Sequence, residues 1–225
     1  MKSFFWLGLV ALGVFFTGGK ATAANTNHNY ARWDKEISAF ERHDATNPPP
    51  QGACLFIGSS VIRFWKTLAV DFPDQKVINR GFGGSQIVDS THFADRIIFP
   101  YAPRIIFLRA GDNDLAAGVP VDQVFADFKD FVTTIQARLP DTEIVYISLS
   151  PSIARWKIHE KELAANALIR DFIHGRPHLH YIDGYTAVLG PDGKPRPELF
   201  GKDKLHYNAV GYKMLTECIH NQWPQ

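Results

Sequence analysis

Five short apolar runs recur along the chain, each followed by a stretch with helical spacing, and this alternation constrains the fold more than any other feature. The runs cover residues 54–57, 76–79, 104–108, 143–149 and 180–183; helical spacing fills 61–70, 87–97, 121–139, 159–173 and 209–223. The run Arg104-Ile105-Ile106-Phe107-Leu108 is apolar almost throughout, as expected of a strand covered on both faces. Strands that alternate with helices imply a parallel sheet with right-handed crossovers. The expectation is a three-layer α/β/α sandwich around a five-stranded parallel sheet. Pro120 at a helix start and Pro140 past a helix end agree with these boundaries. Upstream, Trp33, Ile37 and Phe40 recur at helical spacing, and Asn47-Pro48-Pro49-Pro50 ends that helix. Residues 190–197 read as a turn-rich loop. With 225 residues, 45% of them hydrophobic, the chain can bury the core of one domain, assigned here to 24–225.

The first 23 residues read differently. Lys2 precedes an apolar run over 4–16, and Ala21-Thr22-Ala23 supplies small residues for cleavage. A basic start, a short apolar run and an A-x-A site form a signal-peptide pattern, and the run is short for a membrane span. The expectation is a secreted or periplasmic protein with no stable membrane association after cleavage. The formal net charge is +1, which implies no strong electrostatic preference for nucleic acid or an anionic membrane. Two cysteines, Cys54 and Cys218, leave two readings open: one disulfide in an exported protein, or two buried thiols.

The chemistry gathers at the strand ends, where open α/β sheets bind ligands. Gly58-Ser59-Ser60 follows the first strand and Asn79-Arg80-Gly81-Phe82-Gly83-Gly84 the second. Gly111-Asp112-Asn113-Asp114 follows the third, and Asp203-Lys204-Leu205-His206 precedes the last helix. A serine at a strand end next to a helix start sits in a field that favours negative charge. Asp203 and His206, three apart, fall on one side of a helical turn or tight loop, and a carboxylate beside an imidazole fixes its tautomer. Gly84 can present a backbone N–H, and Asn113 a side-chain amide, to a developing oxyanion. A serine after a strand is alone usually a helix cap, and a lone Asp-x-x-His is usually solvated surface. Together, at one rim of one sheet, the blocks compose a Ser-His-Asp triad with an oxyanion hole. His174, His178 and His180 have metal-like spacing without acidic or thiol company, so a solvated loop is favoured. The glycines at 81–84 do not complete G-x-G-x-x-G, because Gln86 stands where the third glycine would be.

Four blocks in this order resemble those of the SGNH hydrolases, also called GDSL-type esterases and lipases. The resemblance runs from about Cys54 to Cys218. It implies a flavodoxin-like sheet and a serine ester-hydrolase mechanism with neither metal nor organic cofactor. It implies Ser60 as nucleophile, His206 as base, Asp203 as its partner, and an oxyanion hole made by the N–H groups of Ser60 and Gly84 and the Asn113 amide. The chain departs from the family pattern at Ser59, where the name-giving motif carries aspartate. The implied substrate is a small or short-chain acyl ester, with acetylated carbohydrate and lipid-derived esters as the candidates. An acyltransferase with the same triad, and a non-catalytic carbohydrate binder on the same fold, are the alternatives. Arg155-Trp156 reads as a loop anchor or a substrate contact, and Arg109 as an ion-pair member or a site residue.

Overall fold

The computed structural model describes residues 28–223; the expected signal sequence lies outside them. Five strands, β1 (Cys54–Gly58), β2 (Val77–Gly81), β3 (Ile105–Arg109), β4 (Glu143–Ile147) and β5 (Leu179–Ile182), form one sheet in the order β2-β1-β3-β4-β5. Every pairing is parallel. The predicted α/β/α sandwich is therefore present, with the flavodoxin-like strand order.

The pleat divides the core. Leu55 and Ile57 of β1 face one way, with Ile106, Leu108, Ile144 and Tyr146 from the neighbouring strands. On that side pack α1 (Asp34–Thr46), α4 (Ile87–His92), α5 (Ala94–Ile97), α7 (Val121–Gln136) and α8 (His159–Ile173). Cys54 and Phe56 face the other way with Phe107, Val145 and Ile147, and meet Trp65, Leu68, Tyr212 and Leu215. Trp65 follows α2 (Ser60–Arg63), whose Ile62 joins the same cluster; Leu68 begins α3 (Leu68–Asp71), and Tyr212 and Leu215 lie in α10 (Ala209–Gln222). Successive strand residues supply opposite cores because side chains alternate with period two.

Three details depart from the expected elements. The stretch over 61–70 is two short helices, because Trp65 turns into the core and Asp71 accepts from both Trp65 Nε1 (2.5 Å) and Thr67 Oγ1 (2.6 Å). The stretch over 87–97 breaks at Phe93. Two short helices follow strands, α6 (Asp112–Ala116) and α9 (Gly184–Val188), the latter capped by Asp183. Of the two readings for the cysteines, the thiols are both free and buried. Cys54 Sγ faces Arg104 Nη2 at 3.2 Å, and Cys218 Sγ faces the Asp183 carbonyl at 3.3 Å. His178 and His180 bracket Glu143, at 2.9 and 2.5 Å, so they bridge β4 and β5. Among the described residues no helix is long and apolar enough to cross a membrane.

Asp114 locks α6 to α4. It is 1% exposed, one oxygen accepts the Ile87 N–H at 3.2 Å, and the other has no partner among the described residues. Burial pushes its carboxyl up to about 7. A carboxyl raised on folding stabilises the native state fully below its unfolded value near 4, and that stability is lost as pH rises toward 7. Urea unfolding at pH 5 and pH 8 should therefore show wild type losing roughly 3 kcal/mol more than Asp114→Asn over that interval. Parallel pH profiles for the two proteins would refute a neutral Asp114.

Candidate active site

β1 ends in Gly58, whose φ is +139° and whose position admits no side chain: a Cβ there would lie 2.1 Å from the Arg109 carbonyl oxygen. The chain passes close beneath β3, and the Ser59 N–H donates to that same carbonyl at 3.1 Å. The next residue, Ser60, begins α2 at the sheet rim. Ser60 Oγ lies 3.1 Å from His206 Nε2. Ser59 is buried and makes no hydrogen bond to His206, so the geometry separates the two serines.

His206 stands on a tight loop ahead of α10. Lys204 takes a left-handed conformation (φ +57°). Asp203 Oδ1 then accepts from the N–H groups of Leu205 (3.0 Å) and His206 (3.1 Å), and Asp203 Oδ2 lies 2.7 Å from His206 Nδ1. A carboxylate can only accept, so Nδ1 carries the ring proton and Nε2 is left to accept from Ser60 Oγ. The Phe64 ring meets the imidazole in a T-shaped arrangement, with centroids 5.0 Å apart. The loop is tied back by the Gly201 N–H, which donates to the His206 carbonyl at 2.8 Å, and by Asn208, which caps α10.

Asn113 lies in α6 and, with Ser60 and His206, lines a cavity of about 30 Å³. Its Nδ2 donates to the Ser85 carbonyl at 2.9 Å, while its Oδ1 accepts from Arg155 Nη1 at 2.9 Å. Gly84 precedes that same Ser85, with φ +79° and its own carbonyl held by Arg32 at 3.0 Å. Among the described residues nothing accepts from the Gly84 N–H. Gly84 is outside the cavity lining and is linked to Asn113 through Ser85. The five residues singled out in the sequence thus sit at one rim: Ser60, Asp203 and His206 in direct contact, Asn113 on the same cavity, and Gly84 beside it.

A buried polar floor underlies this site. Arg109 pairs with Asp112 and donates to Ser150 Oγ at 3.1 Å; Ser150 Oγ in turn lies 2.7 Å from Tyr207 Oη. Burial works against the Arg109 charge, but Asp112 more than restores it and holds the guanidinium above its ordinary value. Glu162, 1% exposed, lines the cavity with one oxygen unpartnered. Burial, then the Asp112 charge, push its carboxyl up to about 8, against the pull of Arg109 and Arg155. Sequence reasoning left Arg109 open, read Arg155 as a loop anchor ahead of a substrate contact, and missed Asp112, Ser150, Glu162 and Tyr207. Glu162 had a readable signal: it sits on the same helical face as Ala165, Asn166, Ile169 and Ile173, all buried. An acid on the core face of an amphipathic helix needs a reason to be there.

Unlike Glu162, the Asp203 side chain is 53% exposed. The His206 side chain, then the backbone N–H groups of Leu205 and His206, bring its carboxyl down to about 2. A carboxylate lowered in the folded state keeps its pair above that value and loses it only as pH falls through it. Carboxyl-carbon NMR should therefore show Asp203 ionised down to a midpoint near pH 2. A midpoint near 4 would mean that the pair is not formed in solution.

Residues 58–214 match the family model for the GDSL-like lipase/acylhydrolase family. Platelet-activating factor acetylhydrolase IB subunit alpha1 from Bos taurus is 25% identical over 215 residues, covering 90% of this chain and 87% of the relative. A solved structure from Streptococcus pneumonia superposes with a TM-score of 0.75 at 21% identity, covering 85% of this chain and 93% of the other. A GDSL-like lipase from Bacteroides thetaiotaomicron gives 0.66 at 19% identity, covering 86% and 96%. A catalytic mutant of an acetylxylan esterase from Geobacillus stearothermophilus gives 0.63 at 13% identity, covering 77% and 94%. The family match spans the strand-end serine and the Asp203–His206 loop alike, and the chain belongs to the GDSL-like lipase/acylhydrolase family, as a carboxylic ester hydrolase.

Proposed function

We propose that this protein hydrolyses small acyl esters, acetyl esters foremost, through an acyl-enzyme on Ser60. The observation that carries the reading is the contact chain from Asp203 through His206 to Ser60, at 2.7 and 3.1 Å. Ser60 Oγ attacks the ester carbonyl carbon as its proton passes to His206 Nε2, and Asp203 stabilises the imidazolium. The carbonyl oxygen becomes an oxyanion, received by the Ser60 and Gly84 N–H groups and the Asn113 amide. His206 gives its proton to the departing alcohol oxygen as the tetrahedral centre collapses to the acyl-enzyme. Water then attacks the acyl carbon, again losing its proton to Nε2; collapse returns that proton to Ser60 Oγ and frees the carboxylic acid.

The small space beside Ser60 and Asn113, about 30 Å³, supports a short acyl group. Two proteins similar to this chain are named for acetyl esters, one an acetylhydrolase and one an acetylxylan esterase, which supports an acetylated lipid or carbohydrate as substrate. The basic start, the apolar run over 4–16 and the Ala21-Thr22-Ala23 site support action outside the cytoplasm.

Hydrolysis of p-nitrophenyl esters tests both parts. Ser60→Ala should lower kcat by at least about 10⁴-fold, and kcat/KM of wild type should fall at least about tenfold from acetate to hexanoate. Retained turnover in Ser60→Ala would exclude Ser60 as nucleophile. A kcat/KM that climbs with chain length would exclude the small acyl pocket. With methanol added, the free acid should remain the main product; predominant methyl ester would make the protein an acyltransferase.

A further inference from the structure

We propose that Arg155 is a positioning residue for the ester hydrolysis: it turns the Asn113 amide so that a donor, not an acceptor, meets the oxyanion, and it strengthens that donor. The inference rests on the proposed function, in which Asn113 is an oxyanion ligand.

A side-chain amide has two faces of opposite character, and a half turn exchanges its N–H₂ and C=O ends. In an oxyanion hole the wrong end would repel the charge that it should hold. Two partners of single character settle the matter here. A guanidinium can only donate, and Arg155 Nη1 lies 2.9 Å from Asn113 Oδ1. A carbonyl can only accept, and the Ser85 oxygen lies 2.9 Å from Asn113 Nδ2. One Nδ2 hydrogen is used by Ser85, and the other is left for substrate.

The charge of Arg155 acts in the same direction. Among the described residues Arg155 has no ion-pair partner. The acid beside it in the cavity, Glu162, is held toward its neutral form by burial, with its carboxyl up to about 8. Asp112, the other nearby acid, is taken by Arg109. The guanidinium, hydrogen-bonded to Asn113 Oδ1, draws electron density from the amide. The Nδ2–H bonds become better donors, as in any hydrogen-bonded chain that ends on a cation.

The backbone holds Arg155 where this requires. Its own N–H donates to the Ser152 carbonyl at 3.2 Å, and the N–H of Ala154 donates to the Lys204 carbonyl at 3.0 Å. Lys204 lies between Asp203 and His206. One loop thus grips the turn that carries the base and also steers the amide that faces the oxyanion, so the two halves of the site are set against each other.

The test is a double-mutant cycle on p-nitrophenyl acetate, with kcat, KM and thermal midpoint measured for Arg155→Met, Arg155→Lys, Asn113→Ala and Arg155→Met/Asn113→Ala. Arg155→Met should lower kcat about 10- to 100-fold with KM within about twofold, because the donor acts in the transition state. Arg155→Lys, with one charged donor, should recover much of that loss. Asn113→Ala should lose about 10²- to 10³-fold, and the double variant should be no slower than Asn113→Ala alone. Losses that multiply in the double variant, or a raised KM with kcat intact, would overturn the proposal by making Arg155 a direct substrate ligand. A kcat loss that follows a fallen thermal midpoint and is not rescued by lysine would overturn it as a folding effect. Full activity in Arg155→Met with Asn113→Ala impaired would sink this inference alone. Full activity in Asn113→Ala would sink it together with the assignment of Asn113.

Discussion

The parallel register that sets Gly58 beside Arg109 on one flank and Gly81 on the other holds the site together. Because all five strands point the same way, their carboxyl ends lie at one rim, and β1 stands where the strand order reverses. The loops after β1, β2 and β3 then supply Ser60, Gly84 and Asn113 at the same level. The bond to β3 is made at a separation that only glycine allows at position 58. Backbone proximity is therefore the first requirement of the site, and the side chains are placed by it. His206 reaches Ser60 across 146 residues of sequence, which is possible because α10 packs on the face of the sheet that also carries α2.

The electrostatics around that rim are uneven in a way that suits a developing negative charge. Two carboxyls near Asn113, Asp114 and Glu162, are buried, and desolvation draws both toward the neutral acid. Arg109 keeps its charge but spends it on Asp112. Arg155 donates to the Asn113 amide oxygen. Asp203, the carboxylate in contact with the imidazole, stands in water and stays ionised, so solvent and salt screen it from the cavity. At position 59, a buried serine adds a hydroxyl and no charge. Around the site, Arg109 and Arg155 lie among buried acids, while the Asp203 carboxylate sits at the surface beside the His206 imidazole.

Particular residues mark where reading the letters succeeds and where it stops. The 159–173 helix has the expected ends, with Ala165, Ile169 and Ile173 buried along one face. The 61–70 helix is interrupted, because burial of the Trp65 ring and the pull of Asp71 outweigh local helical preference. Of the helical turn and tight loop that the Asp203–His206 spacing allowed, the chain takes a tight left-handed turn, a conformation that Lys204 by itself does not favour. Arg155 looked like a loop anchor, and it is one, through its backbone; its guanidinium meets a residue 42 positions away, and no local pattern reports such a contact. The free thiols follow the same rule: pairing depends on where β1 and α10 lie, not on how many cysteines there are.

From the sequence alone came the alternation of strands and helices, hence the layered parallel sheet, and the blocks that carry Ser60, Gly84, Asn113, Asp203 and His206. These are legible because hydrophobic period and turn chemistry are local, written within a few residues. The tertiary structure sets Ser60, the serine that the resemblance already favoured over Ser59, against the imidazole, and it alone decided which end of the Asn113 amide is free and which acids are buried. Those properties depend on distance and desolvation between segments far apart in the chain, and neither quantity exists until the sheet has brought them together.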